Sequence, residues 1–256
     1  MKCFKTIQCL SALCVLIVSI SLLPGIAAAQ EYNGVTGLLQ VPSAETDSAG
    51  TFRGSFMFLH EEFLPAQMPR KNTFGYMVGI TGFRWIELSY GASLLWMHKG
   101  GSKNKDAKMG YYNEDRRVNV KLTPLYEGRW WPGIAVGMDD IGRFKRFKTG
   151  VKGNNYYQNI YVAASKHFDI RGYELGAHLA YRYYSSDVNS NRRGLAGGVT
   201  FRPAFYRPLR LVGEWDGVGV NVGADVLLWR HLFVQAALVH GQGFTGGLGY
   251  HYTIKH

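Results

Sequence analysis

Cysteine is absent after residue 14: Cys3, Cys9 and Cys14 are the only three in 256 residues. Everything downstream therefore lacks a disulfide framework and thiolate chemistry. Long apolar runs are also missing beyond residue 30, which excludes a bundle of transmembrane helices. No G-x-S-x-G elbow occurs, and His60-Glu61-Glu62 lacks the second histidine of the helical zinc motif. The eight histidines are scattered, so no metal and no cofactor is expected, and the chain reads as a non-enzyme. GVGVNVG near residue 220 is glycine-rich, but it lies in strand-turn-strand alternation, which is not the setting of a phosphate loop.

The one long apolar stretch is N-terminal. Lys2 and Lys5 precede an apolar core from Leu10 to Leu23, and Ala27-Ala28-Ala29 stands before Gln30. This is the pattern of a secretory signal peptide over residues 1–29. The net charge is +11, and the leader carries two of those positive charges. An exported basic chain points to polyanionic neighbours such as acidic polysaccharide or lipid phosphate, and away from nucleic acid.

The dominant period after the leader is two. In Trp85–Leu94 the even positions are apolar and most odd ones polar or small; Arg117–Thr123 and Val220–Val226 alternate in the same way. Such segments are strands with one apolar and one polar face. A soluble sandwich and a membrane barrel share this local pattern. Strand lengths near the ~9–11 residues of a tilted membrane strand favour the barrel, as do abundant Tyr, Phe and Gly. The expectation is an all-β, antiparallel outer-membrane barrel of about 12 strands, with 10–14 allowed by the boundaries. Its strands fall near 52–60, 74–82, 85–97, 116–126, 132–139, 156–168, 173–185, 194–202, 209–216, 218–229, 231–240 and 243–254. Longer connections follow strands one, three, five and seven, and tight ones follow the even strands. That asymmetry suits external loops and periplasmic turns.

Alternation then sorts the polar residues. Glu87, Arg117, Lys121, Asp139, Glu174, Arg182, Glu214, Asp216 and Asp225 are the lumen-lining candidates. They fit either an open polar channel or a lumen packed with paired side chains. Two basic stretches fall in expected outer loops: Lys99, Lys103, Lys105 and Lys108, and then Arg143, Lys145, Arg146 and Lys148. Both could meet lipopolysaccharide phosphates or an acidic glycan. Gly247, Tyr250 and Tyr252 near the C-terminus resemble a barrel-assembly signal, so assembly machinery is an expected partner. Residues 30–51 contain GVTGLLQVPSAETDSAG, too apolar for a linker and too rich in Gly and Pro for a helix. This N-terminal segment is expected to pack at or inside the periplasmic mouth, ahead of a barrel over 52–256.

Five stretches in order, GVTGLLQVPSAETDSAGTFRGS, PGIAVGMDDIG, IYVAASKHF, GLAGGVTF and LVGEWDGVGVNVG, resemble the YjbH-type family. The resemblance implies an outer-membrane β-barrel associated with exopolysaccharide production, here in a short, single-barrel version. It further implies help with polysaccharide passage across that membrane and contact with export-system proteins. A non-conducting structural or glycan-binding barrel is the alternative, and a lipid- or glycan-modifying barrel enzyme the third reading.

Overall fold

The computed structural model describes residues 31–99, 107–141, 156–184 and 191–254. Twelve antiparallel strands close into one barrel in sequence order, with β1 hydrogen-bonded to β12. They are β1 (Thr51–Leu59), β2 (Thr73–Phe83), β3 (Ile86–His98), β4 (Met109–Leu125), β5 (Gly133–Asp139) and β6 (Asn159–Ile170), followed by β7 (Tyr173–Tyr183), β8 (Gly194–Arg202), β9 (Leu209–Trp215), β10 (Val220–Leu228), β11 (Leu232–Val239) and β12 (Gly243–Thr253). Every expected strand is present. β4 starts earlier than the alternation implied, because residues 109–115 pair with the upper half of β3.

The even-numbered strands end at what we call the near end, where β1 begins and β12 finishes; the odd-numbered strands end at the far end. Tight hairpins at the near end include Arg171-Gly172 and Trp229-Arg230, with positive φ at all four residues. Two successive positive φ values match the right-handed twist of the flanking strands, as a two-residue hairpin requires.

The choice left open by periodicity is settled by which face is buried. In β7, Leu175, Leu179, Tyr181 and Tyr183 are exposed, while Gly176, His178, Ala180 and Arg182 point inward. The same inversion runs round the barrel: Phe56, Val78, Leu88, Val199 and Leu248 are outside, and Arg53, Glu87, Lys121, Arg210 and Asp225 are inside. Aromatic side chains cluster at both rims. Trp85, Tyr126, Trp130, Phe205 and Tyr252 mark the near end; Phe74, Tyr112, Tyr183, Trp215 and Phe244 mark the far end. An apolar outer band between two aromatic girdles is the outer surface of a membrane barrel.

The seam between β1 and β12 explains one C-terminal residue. A Cβ on Gly247 would lie 2.7 Å from Met57 Cγ and 2.9 Å from Met57 Cα, inside any tolerated contact. Gly247 therefore lets the last strand close on the first, whereas Tyr250 and Tyr252 face outward at the near rim, both stacked on His231. Gly247→Val is expected to cost about 1–3 kcal/mol by overpacking. Urea unfolding in detergent micelles would read this as a lower midpoint, and an unchanged midpoint would refute the seam argument.

Candidate functional site

The candidate site is the lumen, and the N-terminal segment fills it. Residues 31–44 are buried throughout, with Val35, Thr36, Leu38, Val41 and Ser43 at 0% exposure. The segment, expected at or inside the mouth of the barrel, lies inside, and it runs from the near end up into the far half of the barrel. Tyr32 packs there with Phe63, Leu95, Tyr157 and Val239. Lower down, Leu38, Leu39 and Val41 pack on small wall residues Ala163, Ala180, Ala196 and Ala237. The apolar side chains of Val35, Leu38, Leu39 and Val41 are thereby all removed from water. A short backbone bridge from Gly37 to Pro42 turns the segment on itself, so it pairs internally instead of joining the sheet.

A chain inside a barrel carries backbone N–H and C=O groups that no strand satisfies, and burying them unpaired is costly. The wall meets them with charge. Glu214 accepts the N–H groups of Leu39, Gln40 and Val41 at 3.0, 2.9 and 3.1 Å, and the Asn221 side-chain amide at 2.9 Å. Glu87 accepts Thr36 N–H at 2.8 Å and Asp47 N–H at 3.2 Å. Lys121 donates to Thr36 O at 2.9 Å and also to the Glu45 carbonyl. Arg210 donates to Gly37 O at 3.1 Å while its Nε and Nη2 clasp Asp225 at 3.0 and 2.9 Å. Ser89 and Asn119 both donate to Asn33 O at 2.7 Å.

Higher up, the Arg117 guanidinium lies against the rings of Tyr157 at 4.1 Å and Tyr32 at 5.0 Å, which also touch each other. Asn33 Nδ2 bridges Asp139 at 3.1 Å and Glu31 at 3.3 Å. Burial, reinforced by the nearby Asp139 charge, pushes the Glu31 carboxyl well above the usual range. Arg182 and Arg192 grip the carbonyl and side-chain oxygens of Gln40.

Several wall groups pair across neighbouring strands in direct register: Glu87 with Lys121, Ser89 with Asn119, Arg210 with Asp225, and Asn221 with Glu214. The lumen candidates are therefore inside, but they face the segment and each other. Two sit differently. Glu174 is half-buried at the near rim, held by Arg202 at 3.0 Å and Arg207 at 3.5 Å. Asp216 lies in the far-end turn after β9, where it accepts the N–H groups of Val218 and Gly219 at 2.9 Å. Glu214 and Asp216 are thus committed to different backbone groups and do not form a carboxylate pair around a cleft. Lys99 and Lys108 are on the far rim, joined by a backbone hydrogen bond of 2.9 Å. Lys103, Lys105, Arg143, Lys145, Arg146 and Lys148 lie outside the described residues.

At the near end the segment meets a cluster that alternation alone did not single out. Glu45 Oε2 takes Arg210 Nη1 at 3.3 Å, and its Oε1 faces His167 Nε2 at 3.3 Å. Burial opposes ionisation of Glu45, but the His167 hydrogen bond and the Arg210 charge outweigh it and hold the carboxyl well below its usual range. Ser165 Oγ accepts Ala44 N–H at 2.8 Å and sits 2.9 Å from His178 Nδ1, whose other nitrogen meets Thr200 at 3.1 Å. Among the described residues no carboxylate hydrogen-bonds this histidine, and the serine hydroxyl is engaged by the segment's backbone.

The family model YjbH, described as "Exopolysaccharide biosynthesis protein YbjH", matches residues 29–195, which cover the N-terminal segment and the strands up to the start of β8. The chain belongs to the YjbH family. No curated protein matches it. Among solved structures, this YjbH-family barrel overlaps the outer membrane phospholipase (OMPLA) dimer of Salmonella typhi with bound calcium. Identity there is 9% over 79% of this chain and 90% of that one, with a TM-score of 0.33. It also overlaps outer membrane phospholipase A from Escherichia coli, at 10% identity over 80% and 97% of the two chains and a TM-score of 0.34.

The matched region of this YjbH chain contains both the segment and its wall partners Glu87, Arg117 and Lys121. Sequence reasoning missed Arg53, Asn119 and Arg210, although each sits on the polar phase of its strand and could have been found by extending the alternation. The burial of Leu38 and Val41 makes a direct prediction. Leu38→Cys and Val41→Cys should resist a water-soluble thiol reagent in the folded protein and react fully after unfolding. Rapid labelling in the folded state would place the segment outside the lumen.

Proposed function

We propose that this protein is an outer-membrane barrel that takes part in exopolysaccharide export, closed at rest by its own N-terminal segment. The near end faces the periplasm and the far end the exterior, as short turns and longer loops imply. The observation that carries the reading is the way the lumen is filled. A small barrel closes with the side chains of its own wall. Here a separate stretch of chain occupies the lumen, held largely by charged and polar groups. Water can solvate such groups again once the segment moves, whereas a continuous apolar core would resist it. The lumen left behind would carry Glu87, Lys121, Arg210 and Glu214, a lining suited to hydrated polymer. We read the far-rim Lys99 and Lys108 as part of a surface for lipopolysaccharide phosphate or acidic glycan, and the protein as a non-enzyme that works with assembly and export partners.

Planar-bilayer conductance tests this. The intact protein is expected to insert without steady conductance, and a variant lacking residues 31–44 to conduct and to be blocked by added oligosaccharide. A folded, inserted deletion variant that stays closed would refute the gate and favour the non-conducting, glycan-binding scaffold.

A further inference from the structure

We propose that Glu45, His167 and His178 form a binding site for a divalent transition metal of the zinc class, which pins the near end of the N-terminal segment to β6 and β7. One ligand atom from each residue lies within 4.8 Å of the other two. Two belong to the barrel wall and one to the segment, so a bound ion would cross-link parts of the chain that otherwise meet through non-covalent packing, hydrogen bonds and ion pairs.

The geometry at His167 is that of a ligand already oriented. Glu127, on the near-end link after β4, places Oε2 2.6 Å from His167 Nδ1. Its Oε1 is held by Lys166 Nζ at 2.9 Å and His167 N–H at 2.8 Å. The carboxylate on Nδ1 keeps a proton there, the usual outer support of a metal-bound histidine, so an ion that displaces the Nε2 proton shared with Glu45 would take Nε2 as its ligand. Nε2 then faces Glu45 Oε1 at 3.3 Å. For zinc bonds of about 2.0–2.2 Å, the edge of a tetrahedron is about 3.4 Å. The carboxylate–imidazole spacing therefore already fits two ligands of one ion.

The His178 ring approaches the His167 ring edge-on, at 5.3 Å between centroids and 73° between planes. Since its ligand nitrogen lies within 4.8 Å of the other two ligand atoms, an inward swing of at most about 1.4 Å brings it to the same tetrahedral edge. Its present partners, Ser165 and Thr200, are hydroxyls that can turn from donor to acceptor, so one ring nitrogen can be released while the other stays bonded. Space for both rings depends on Gly176: a Cβ there would lie 2.6 Å from His178 Nε2 and 3.0 Å from His167 Cδ2. The nearby positive charge is compensated, since Arg210 also pairs with Asp225 at 2.9 Å.

The site can be reached by water. Glu45 and His167 line a cavity of about 390 Å³ at the near end, with Asp47, Glu174, Arg202 and Arg230. They also border a second cavity of about 180 Å³, beside Glu127 and Ser165. Water from either completes the coordination. Two imidazoles and one carboxylate suit zinc and its neighbours, and not calcium or magnesium, which prefer all-oxygen sets.

The test is titration of the purified, folded protein with Zn²⁺, followed calorimetrically, and with Co²⁺, whose visible bands report four-coordination. We expect one ion per chain, unaffected by excess Ca²⁺. The double variant His167→Gln/His178→Gln should lose binding, and Glu127→Gln should weaken it about 10–100-fold, as loss of an outer carboxylate does. Glu45→Gln changes only the segment, so it keeps the test informative if the double variant fails to fold; it should weaken binding at least about tenfold. No binding, or equal binding by wild type and Glu45→Gln, overturns the proposal. These readouts do not depend on conductance. A zinc effect on channel closure would rest on the gate proposed above, whereas zinc binding by a barrel that never conducts would leave the site standing and remove only the gate.

Discussion

Gly79→Val is expected to open the barrel without altering a single charge. Gly79 is on the lumen face of β2, and a Cβ there would lie 2.7 Å from the carbonyl oxygen of Gly34 in the segment. That contact is with backbone, so no flexible side chain can turn away. Gly34 cannot retreat easily: its φ is +89°, and its own α-carbon stands against Ser89, whose Cβ would be 3.0 Å from an added methyl. Overpacking of this kind costs about 1–3 kcal/mol. The cheapest relief is for residues 31–36 to lift off the wall, giving up the bonds from Ser89 and Asn119 to Asn33 O. We therefore expect Gly79→Val to fold, to conduct in bilayers, and to make a cysteine at Leu38 reactive. If the variant folds and that cysteine stays protected, the close approach of wall and segment is not what holds the lumen shut.

Arg210→Met is expected to be the most destabilising point substitution in the lumen. The guanidinium has no exposed surface, and it serves Asp225, Glu45 and Gly37 O at once. Removing it leaves the fully buried Asp225 carboxylate without its direct cross-strand partner. Breaking a buried pair from one side typically costs about 3–5 kcal/mol, because the charge left behind is uncompensated. Replacing both partners, Arg210→Met with Asp225→Leu, should cost much less, since no buried ion remains. Arg210→Lys should fall between, because a single ammonium cannot reproduce the guanidinium fork. Urea unfolding of the three variants in detergent gives the order directly. Equal losses for the single and double variants would mean that Arg210 acts through its contacts to the segment and not through Asp225.

Most of the barrel was legible in the chain because a strand is a local object. Alternation in Trp85–Leu94 or Val220–Val226 depends only on the two-residue pleat, and the tight and long connections depend only on local turn residues. The same period puts Glu87, Lys121, Arg182, Glu214 and Asp225 on the polar face of their strands; that this face turns inward follows only once the strands are taken to form a membrane barrel. Register was harder. The placement of Glu87 opposite Lys121, or of Arg210 opposite Asp225, is fixed by how strands slide against each other, and a one-residue slip would reverse every facing.

The sequence by itself thus determined a basic chain of about twelve alternating antiparallel strands carrying the motifs of the YjbH family, for which a membrane barrel was the expected fold. It also required that Val35, Leu38, Leu39 and Val41 be buried somewhere. Only the tertiary structure decided where. The segment lies inside the lumen because Glu214, 174 residues from Gln40 in the chain, supplies the acceptor for three of its backbone N–H groups. The grouping of Glu45 with His167 and His178 has the same origin. Neither arrangement leaves a periodic trace, because each joins an irregular segment to strands brought alongside only by closure of the barrel.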